Sequence, residues 1–126
     1  MSGFTFDSNI LIDALAGLMP AKAEIARAAG FSGQVWISRM VWVEVMSKGS
    51  AEALRLTEKF LGGFIVDEVD AEIGIRAAAL RRERPRLKSP DAIILATAQL
   101  RSRVLVTRNT KDFPAQLPGI RVPYLL

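Results

Sequence analysis

Residues 89–107, SPDAIILATAQLRSRVLVT, contain a helix and a strand that together decide the fold. Ser89, Pro90 and Asp91 form a helix start: a capping hydroxyl, a proline at the first position and an acid in the first turn. The following run, AIILATAQL, is apolar nearly all round and predicts a buried helix. RVLVT, from Arg103 to Thr107, predicts a strand, and its unbroken apolar character suits a sheet covered on both faces.

The same alternation of strand and helix runs through the rest of the chain. Because alternating elements form βαβ units, the sheet should be mostly parallel, with helices on both faces. We therefore predict a single α/β domain over residues 1–126, built as a three-layer sandwich. Within this domain, Gly30 is predicted to end the second helix. The predicted strands are residues 3–6, 34–38, 64–66, 103–107 and 120–122; a helix follows Asp7, and others span 21–29, 39–47, 50–61, 70–84 and 89 onward.

The composition restricts the available chemistry. The chain has 17 Lys and Arg against 13 Asp and Glu, and it contains neither His nor Cys. The lack of Cys excludes a disulfide framework, a thiolate zinc site and a cysteine nucleophile. The lack of His excludes a Ser-His-Asp triad and imidazole ligation of a metal. The net charge of +4 favours anionic partners, nucleic acid above all, although an ordinary solvated surface would give the same balance.

The N-terminal segment predicts no export signal. It lacks a basic start, and Asp7 and Asp13 interrupt its apolar run. No apolar stretch approaches the roughly 18 residues that a membrane span needs. We therefore expect a cytoplasmic protein without membrane contact.

Four acidic residues lie in or beside strongly apolar stretches, where an ionised group is costly unless something compensates it. Asp7 ends the first strand, and Asp112 lies shortly beyond RVLVT on the same predicted edge of the sheet. Asp91 lies in a first helical turn, and Glu44 is embedded in VWVEVM. Ligands of open parallel sheets bind beyond the carboxyl ends of the strands, so the four side chains should converge there.

Each acid also has a purely structural explanation. Asp7 could cap the following turn, Asp91 could interact with the helix dipole, and Asp112 could be a turn residue. Glu44 could face solvent on a surface helix, although its neighbours are apolar. The coincidence of all four favours a hard divalent cation and metal-assisted phosphodiester chemistry.

Four segments together resemble the PIN-domain ribonucleases, and most closely the VapC-type toxins of bacterial toxin–antitoxin pairs. They are FDSNILID around Asp7, ISRMVWVEV around Glu44, SPDAIILATA around Asp91 and LVTRNTKDF around Asp112. The resemblance implies a Mg²⁺- or Mn²⁺-dependent endoribonuclease, the toxin of a type II pair, that hydrolyses RNA with a metal-activated water. It also implies a cognate antitoxin and a homodimer as partners.

The resemblance assigns roles residue by residue. Asp7, Glu44, Asp91 and Asp112 would be catalytic and would bind the metal, with Asn109 as the alternative to Asp112. Polar positions that support the site in the family are matched by Ser8, Asn9 and Thr107. A catalytically silent PIN-fold module that binds RNA or protein is the alternative function, and it would need no divalent ion.

Basic residues precede Asp91 and Asp112 in the sequence. Arg82, Arg86 and Lys88 precede Asp91, and Arg108 lies at the start of the last loop. We expect these four cations to bind the RNA backbone. The alternative is a solvated helix end whose cations favour the C-terminal dipole.

Overall fold

The computed structural model describes residues 3–126, which form a five-stranded, fully parallel sheet. The strand order is β3-β2-β1-β4-β5. The strands are β1 (Phe4–Phe6), β2 (Trp36–Ser38), β3 (Ile65–Asp67), β4 (Val104–Val106) and β5 (Ile120–Arg121). All five predicted strands are present, each shorter than predicted or displaced by one residue.

Helices connect the parallel strands, as crossover connections between parallel strands require. The helices are α1 (Ser8–Leu15), α2 (Met19–Ser32), α3 (Arg39–Met46), α4 (Ala51–Leu61), α5 (Ala71–Glu83) and α6 (Ser89–Leu100). Helix α1 packs against α2 and α3, and α3 against α4, whereas α5 packs mainly against α6. The chain builds the sheet outward from β1 to β3 and then returns to place β4 on the other side of β1. This reversal places α5 and α6 on the opposite face, which confirms the predicted three-layer α/β sandwich.

The reversal also creates a topological switch point between β1 and β4, the position where open parallel sheets bind ligands. Thr5 pairs with Leu105, and the backbone N–H of Asp7 donates to the carbonyl of Val106 at 2.9 Å. Asp7 and Thr107, the residues that follow the two strands, are therefore held side by side at this edge.

The core lies between the sheet and its helices. Phe6, Ile10, Ile37 and Leu105 are fully buried. Helix α6 buries six of its 12 residues, which confirms the predicted buried helix. Within residues 3–126, no helix is long and apolar enough to cross a membrane.

Two helix ends differ from the sequence-based predictions. Helix α2 passes through Gly30 and ends at Ser32, and Gly33 takes the left-handed cap conformation with φ of 76°. Gly33 suits that backbone because it has no Cβ. Lys88 occupies the N-cap position of α6 and its side chain makes no cap hydrogen bond, so Ser89 is the first helical residue instead of the cap.

Candidate metal centre

Asp7 is the most buried of the four predicted acids, with 3% of its surface exposed. Its Oδ1 accepts from the backbone N–H of Ser8 at 2.8 Å. Its Oδ2 accepts from the Thr107 hydroxyl at 2.7 Å and from the Asn9 amide at 3.2 Å. Burial raises the pKa of Asp7 and outweighs these hydrogen bonds, which lower it. A carboxylate oxygen can accept two bonds, so Oδ1 keeps one lone pair for a further ligand.

Thr107 joins Asp7 to the loop that follows β4. Its Oγ1 accepts from the backbone N–H of Asn109 at 3.0 Å. The Asn109 side chain then donates to Asp112 Oδ2 at 2.9 Å and accepts from the Asp112 N–H at 3.2 Å. Asn109 is thus engaged in holding Asp112, and the geometry favours Asp112 as the fourth acid with Asn109 as its support.

Glu44 lies on α3, directly after β2, and is half-buried. Its Oε1 is buried and has no hydrogen-bond partner within residues 3–126. Burial raises the pKa of Glu44, the charge of Asp7 raises it further, and the nearby Ser8 side chain offsets part of the rise. A buried acceptor without a donor costs free energy, so this oxygen is poised for a cation.

Asp91 brings the fourth carboxylate from the first turn of α6. Its pKa is raised to about 6, first by burial and then by the charges of Asp7, Asp112 and Glu44. The charge of Lys88 lowers it by a smaller amount. Because the charges of all three other acids raise the pKa of Asp91, the four predicted carboxylates interact electrostatically and form one acidic cluster.

The donor set fits a hard divalent cation. The acids supply only oxygen ligands, Asp7 Oδ1 has a free lone pair, and Glu44 Oε1 has no other partner in the described residues. Within residues 3–126, however, no three acidic side chains are arranged to hold one ion together. An ion held there would therefore contact at most two of these carboxylates at once, which is a number that Mg²⁺ commonly takes before water and substrate phosphate complete its shell.

Asp13, Arg108 and Tyr124 form a second polar cluster, which the sequence analysis did not predict. Asp13 is buried and accepts from Arg108 Nε at 2.6 Å and Nη2 at 3.0 Å, and from the Tyr124 hydroxyl at 2.7 Å. The Arg108 hydrogen bond, with that of Tyr124, lowers the pKa of Asp13 despite burial. The signal was present in the sequence, because Asp13 stands among apolar residues of α1 as Glu44 does on α3. The ion pair with Asp13 gives Arg108 a structural role, and the contact of Arg108 with RNA stays a prediction.

The other predicted RNA-binding cations differ in position. Lys88 lies close enough to lower the pKa of Asp91. Arg86 lines a concavity of about 130 Å³ beside Asp112. Arg82 is exposed in the last turn of α5 and does not line that concavity.

Comparisons with known proteins agree with this fold. The family model for the PIN domain matches residues 4–115. A chain of a toxin–antitoxin complex from Klebsiella pneumoniae is 42% identical with a TM-score of 0.86, and the match covers 97% of this chain and 98% of that chain.

More distant solved structures support the fold alone. DNA-bound VapBC from Salmonella typhimurium is 24% identical with a TM-score of 0.79, covering 96% of each chain. FitAcB from Neisseria gonorrhoeae is 18% identical with a TM-score of 0.76, covering 98% of this chain and 99% of that chain. The comparison with curated proteins gave no match. Because the family model matches residues 4–115, most of the chain and all of the segment from Asp7 to Asp112, the chain belongs to the PIN domain family.

Proposed function

We propose that this protein is a divalent-metal-dependent endoribonuclease and the toxin component of a type II toxin–antitoxin pair. The observation that supports the proposal is that Asp7, Glu44, Asp91 and Asp112, which come from four separate segments of the chain, interact through charges that raise the pKa values of the first three. Ionised carboxylates in such a cluster repel one another. A cation held by two of them near the switch point of the sheet would offset this repulsion.

Each acid would make a distinct contribution. Asp7 Oδ1 and Glu44 Oε1 have acceptor capacity left for a cation. Asp91 and Asp112 would complete the outer part of the centre through ligation or through bound water. When bound there, Mg²⁺ or Mn²⁺ supplies a water of lowered pKa and offsets the negative charge of the phosphate.

The surrounding polar residues orient this centre. Thr107 and Asn9 both donate to Asp7 Oδ2, which fixes the rotation of the carboxylate so that Oδ1 stays available. Asn109 holds Asp112 in the same way. We expect hydrolysis to leave a 5′-phosphate and a 3′-hydroxyl. A two-histidine mechanism through a cyclic phosphate is excluded because the chain has no His.

The expected protein partner is an antitoxin. The proposal rests on the 42% identity with a chain whose solved structure is a toxin–antitoxin complex. A toxin needs a partner that suppresses it, so a cognate antitoxin should bind this chain with high affinity and inhibit cleavage. Homodimerisation stays a prediction, which sedimentation of the purified chain would test.

The test is cleavage of a panel of structured RNAs with Mg²⁺ or Mn²⁺. EDTA and the Asp7→Asn variant should both abolish cleavage, and Glu58→Gln, which removes an exposed acid on α4, should not. Metal binding is measured in parallel from the rise in melting temperature on addition of Mn²⁺. Absence of both cleavage and a metal-induced rise would replace this proposal with the silent binding module.

A further inference from the structure

The concavity beside Asp112 brings together cations from two distant parts of the chain. Arg84 and Arg86 lie in the turn between α5 and α6, and Lys111 lies in the loop after β4. The fold closes these segments around a space of about 130 Å³, several times the ~30 Å³ of a water molecule. We propose that this concavity is a phosphate-binding subsite that receives a backbone phosphate of the RNA other than the one being cleaved.

The turn that carries the two arginines is held in place before any ligand binds. Leu87, in the middle of the turn, is buried, with 4% of its surface exposed. Its N–H donates to the Arg84 carbonyl at 2.9 Å, and its own carbonyl accepts from Arg81 Nε at 3.0 Å. The anchored Leu87 fixes the backbone on both sides, so little ordering of the turn is needed for binding.

The three cations are available to a ligand. In the described part of the chain six arginines form ion pairs, and neither Arg84 nor Arg86 is among them, nor is Lys111 in such a pair. Arg86 and Lys111 are exposed, and Arg84 is half-buried. This distinguishes them from Arg108, whose Nε and Nη2 both bind Asp13.

The position of the concavity identifies its ligand as part of the same substrate. Asp112 forms part of its wall, and the charge of Asp112 also raises the pKa of Asp7 and of Asp91. The concavity and the acidic cluster are therefore neighbours that share one wall. Three cations against one carboxylate attract an anion, whereas the acidic cluster repels one unless a metal is bound. A single RNA strand could occupy both places with successive parts of its backbone.

This inference rests on the proposed function, and its test separates the two. The variant Arg86→Gln/Lys111→Gln removes the two exposed cations and leaves the half-buried Arg84 in place. The matched control is Arg55→Gln/Lys59→Gln, which removes two exposed cations from α4. Both pairs lower the formal net charge by two, so any difference between them reflects position instead of total charge.

Binding of a labelled single-stranded RNA is measured by fluorescence anisotropy over a range of salt concentrations, in an Asp91→Asn background that prevents cleavage. We expect the subsite pair to weaken binding about tenfold and to flatten the salt dependence by about 0.7 to 1.4 in log–log slope, the loss of one to two phosphate contacts. The control pair should change the slope by less than half of that. Circular dichroism establishes that both variants are folded.

Equal affinities and slopes for the two pairs would overturn the subsite. If that result came with metal-dependent cleavage by the unaltered protein, the subsite alone would be wrong. If the subsite pair lost affinity but the unaltered protein cleaved none of the RNA panel, the subsite would stand and the proposed nuclease would fail.

Discussion

The hydroxyl of Thr107 donates to Asp7 Oδ2 at 2.7 Å, joining residues that lie 100 positions apart in the chain. Thr107 is fully buried and also accepts from the backbone N–H of Asn109. One hydroxyl thus connects the first carboxylate of the cluster to the loop that carries Asp112. The orientation of the centre depends on this side chain even though it carries no charge.

Thr107→Val should therefore misalign the centre while keeping the shape of the side chain. The substitution leaves the Asn109 N–H without its acceptor and removes the closest donor to Asp7, at a cost of about 1–3 kcal/mol in the free energy of unfolding. Affinity for Mn²⁺ should fall as well. Thr107→Ser, which retains the hydroxyl, is the control and should recover metal affinity. A valine variant that binds Mn²⁺ as tightly as the unaltered protein would contradict this role.

Glu44→Gln should stabilise the metal-free protein. Burial and the charge of Asp7 raise the pKa of Glu44, so its ionised form is unfavourable in the fold. We expect a gain on the order of 1 kcal/mol, because removal of a poorly compensated charge relieves desolvation and repulsion. The same variant should lose most of the stabilisation by Mn²⁺. Thermal unfolding with and without the ion measures both effects, and a melting temperature lower than that of the parent in EDTA would refute the first.

The sequence predicted the place of the site better than the contacts within it. Parallel strands that alternate with helices bring their carboxyl ends to one edge, so Asp7 and Thr107 could be placed there from local pattern alone. Helix α2 was harder, because Gly30 is tolerated inside a helix. Phe31, just beyond it, packs edge-on against Phe4 at 5.6 Å, a tertiary contact that the local sequence does not reveal.

The partner of Arg108 was unpredictable for a related reason. Arg108 lies next to a predicted site loop, and its sequence neighbours suggest a free cation. Arg108 instead donates to Asp13, which lies 95 positions earlier in the chain, and only the complete fold brings the two side chains together. Pairings of this kind depend on the strand order, which the alternation of elements leaves undetermined.

Without metal, stability should fall as pH rises through the acidic cluster's titration. The pKa of Asp91 is raised to about 6 from its ordinary value of 3.8, so the folded protein holds this proton when the unfolded chain has lost it. The favourable contribution is complete below about pH 4 and is lost as pH rises through about 6, by at most about 3 kcal/mol. Urea unfolding in EDTA from pH 4 to pH 8 measures the loss. Asp91→Asn should remove much of it, and a profile identical to the parent's would exclude Asp91 as its source.

Glu24 should give the opposite pH dependence at lower pH. Its burial acts to raise the pKa, but the hydrogen bonds and charges of Arg27 and Arg121 outweigh burial and lower the pKa to about 2. A lowered pKa stabilises the fold above the ordinary value of 4.5, and this stability is lost as pH falls towards 2. Glu24→Gln should therefore cost about 2 kcal/mol at pH 7, since it leaves two arginines without their anion. The cost should shrink at pH 3. Glu72→Gln, an exposed acid on α5, is the matched control.

Loss of Arg108 should mainly lower the free energy of unfolding, whereas loss of Arg86 should mainly weaken RNA binding. Arg108→Gln leaves the buried Asp13 with only the Tyr124 hydroxyl as its side-chain donor, so the free energy of unfolding should fall by on the order of 2 kcal/mol. The double variant Asp13→Asn/Arg108→Gln should recover part of that loss, because it removes the unpaired charge. Arg86→Gln should leave stability within about 0.5 kcal/mol, as is usual for an exposed side chain, and should weaken RNA binding with a smaller salt slope. The opposite pattern, a stable Arg108→Gln with a reduced salt slope, would show that Arg108 binds RNA as the sequence predicted and that its bond to Asp13 contributes little to the fold.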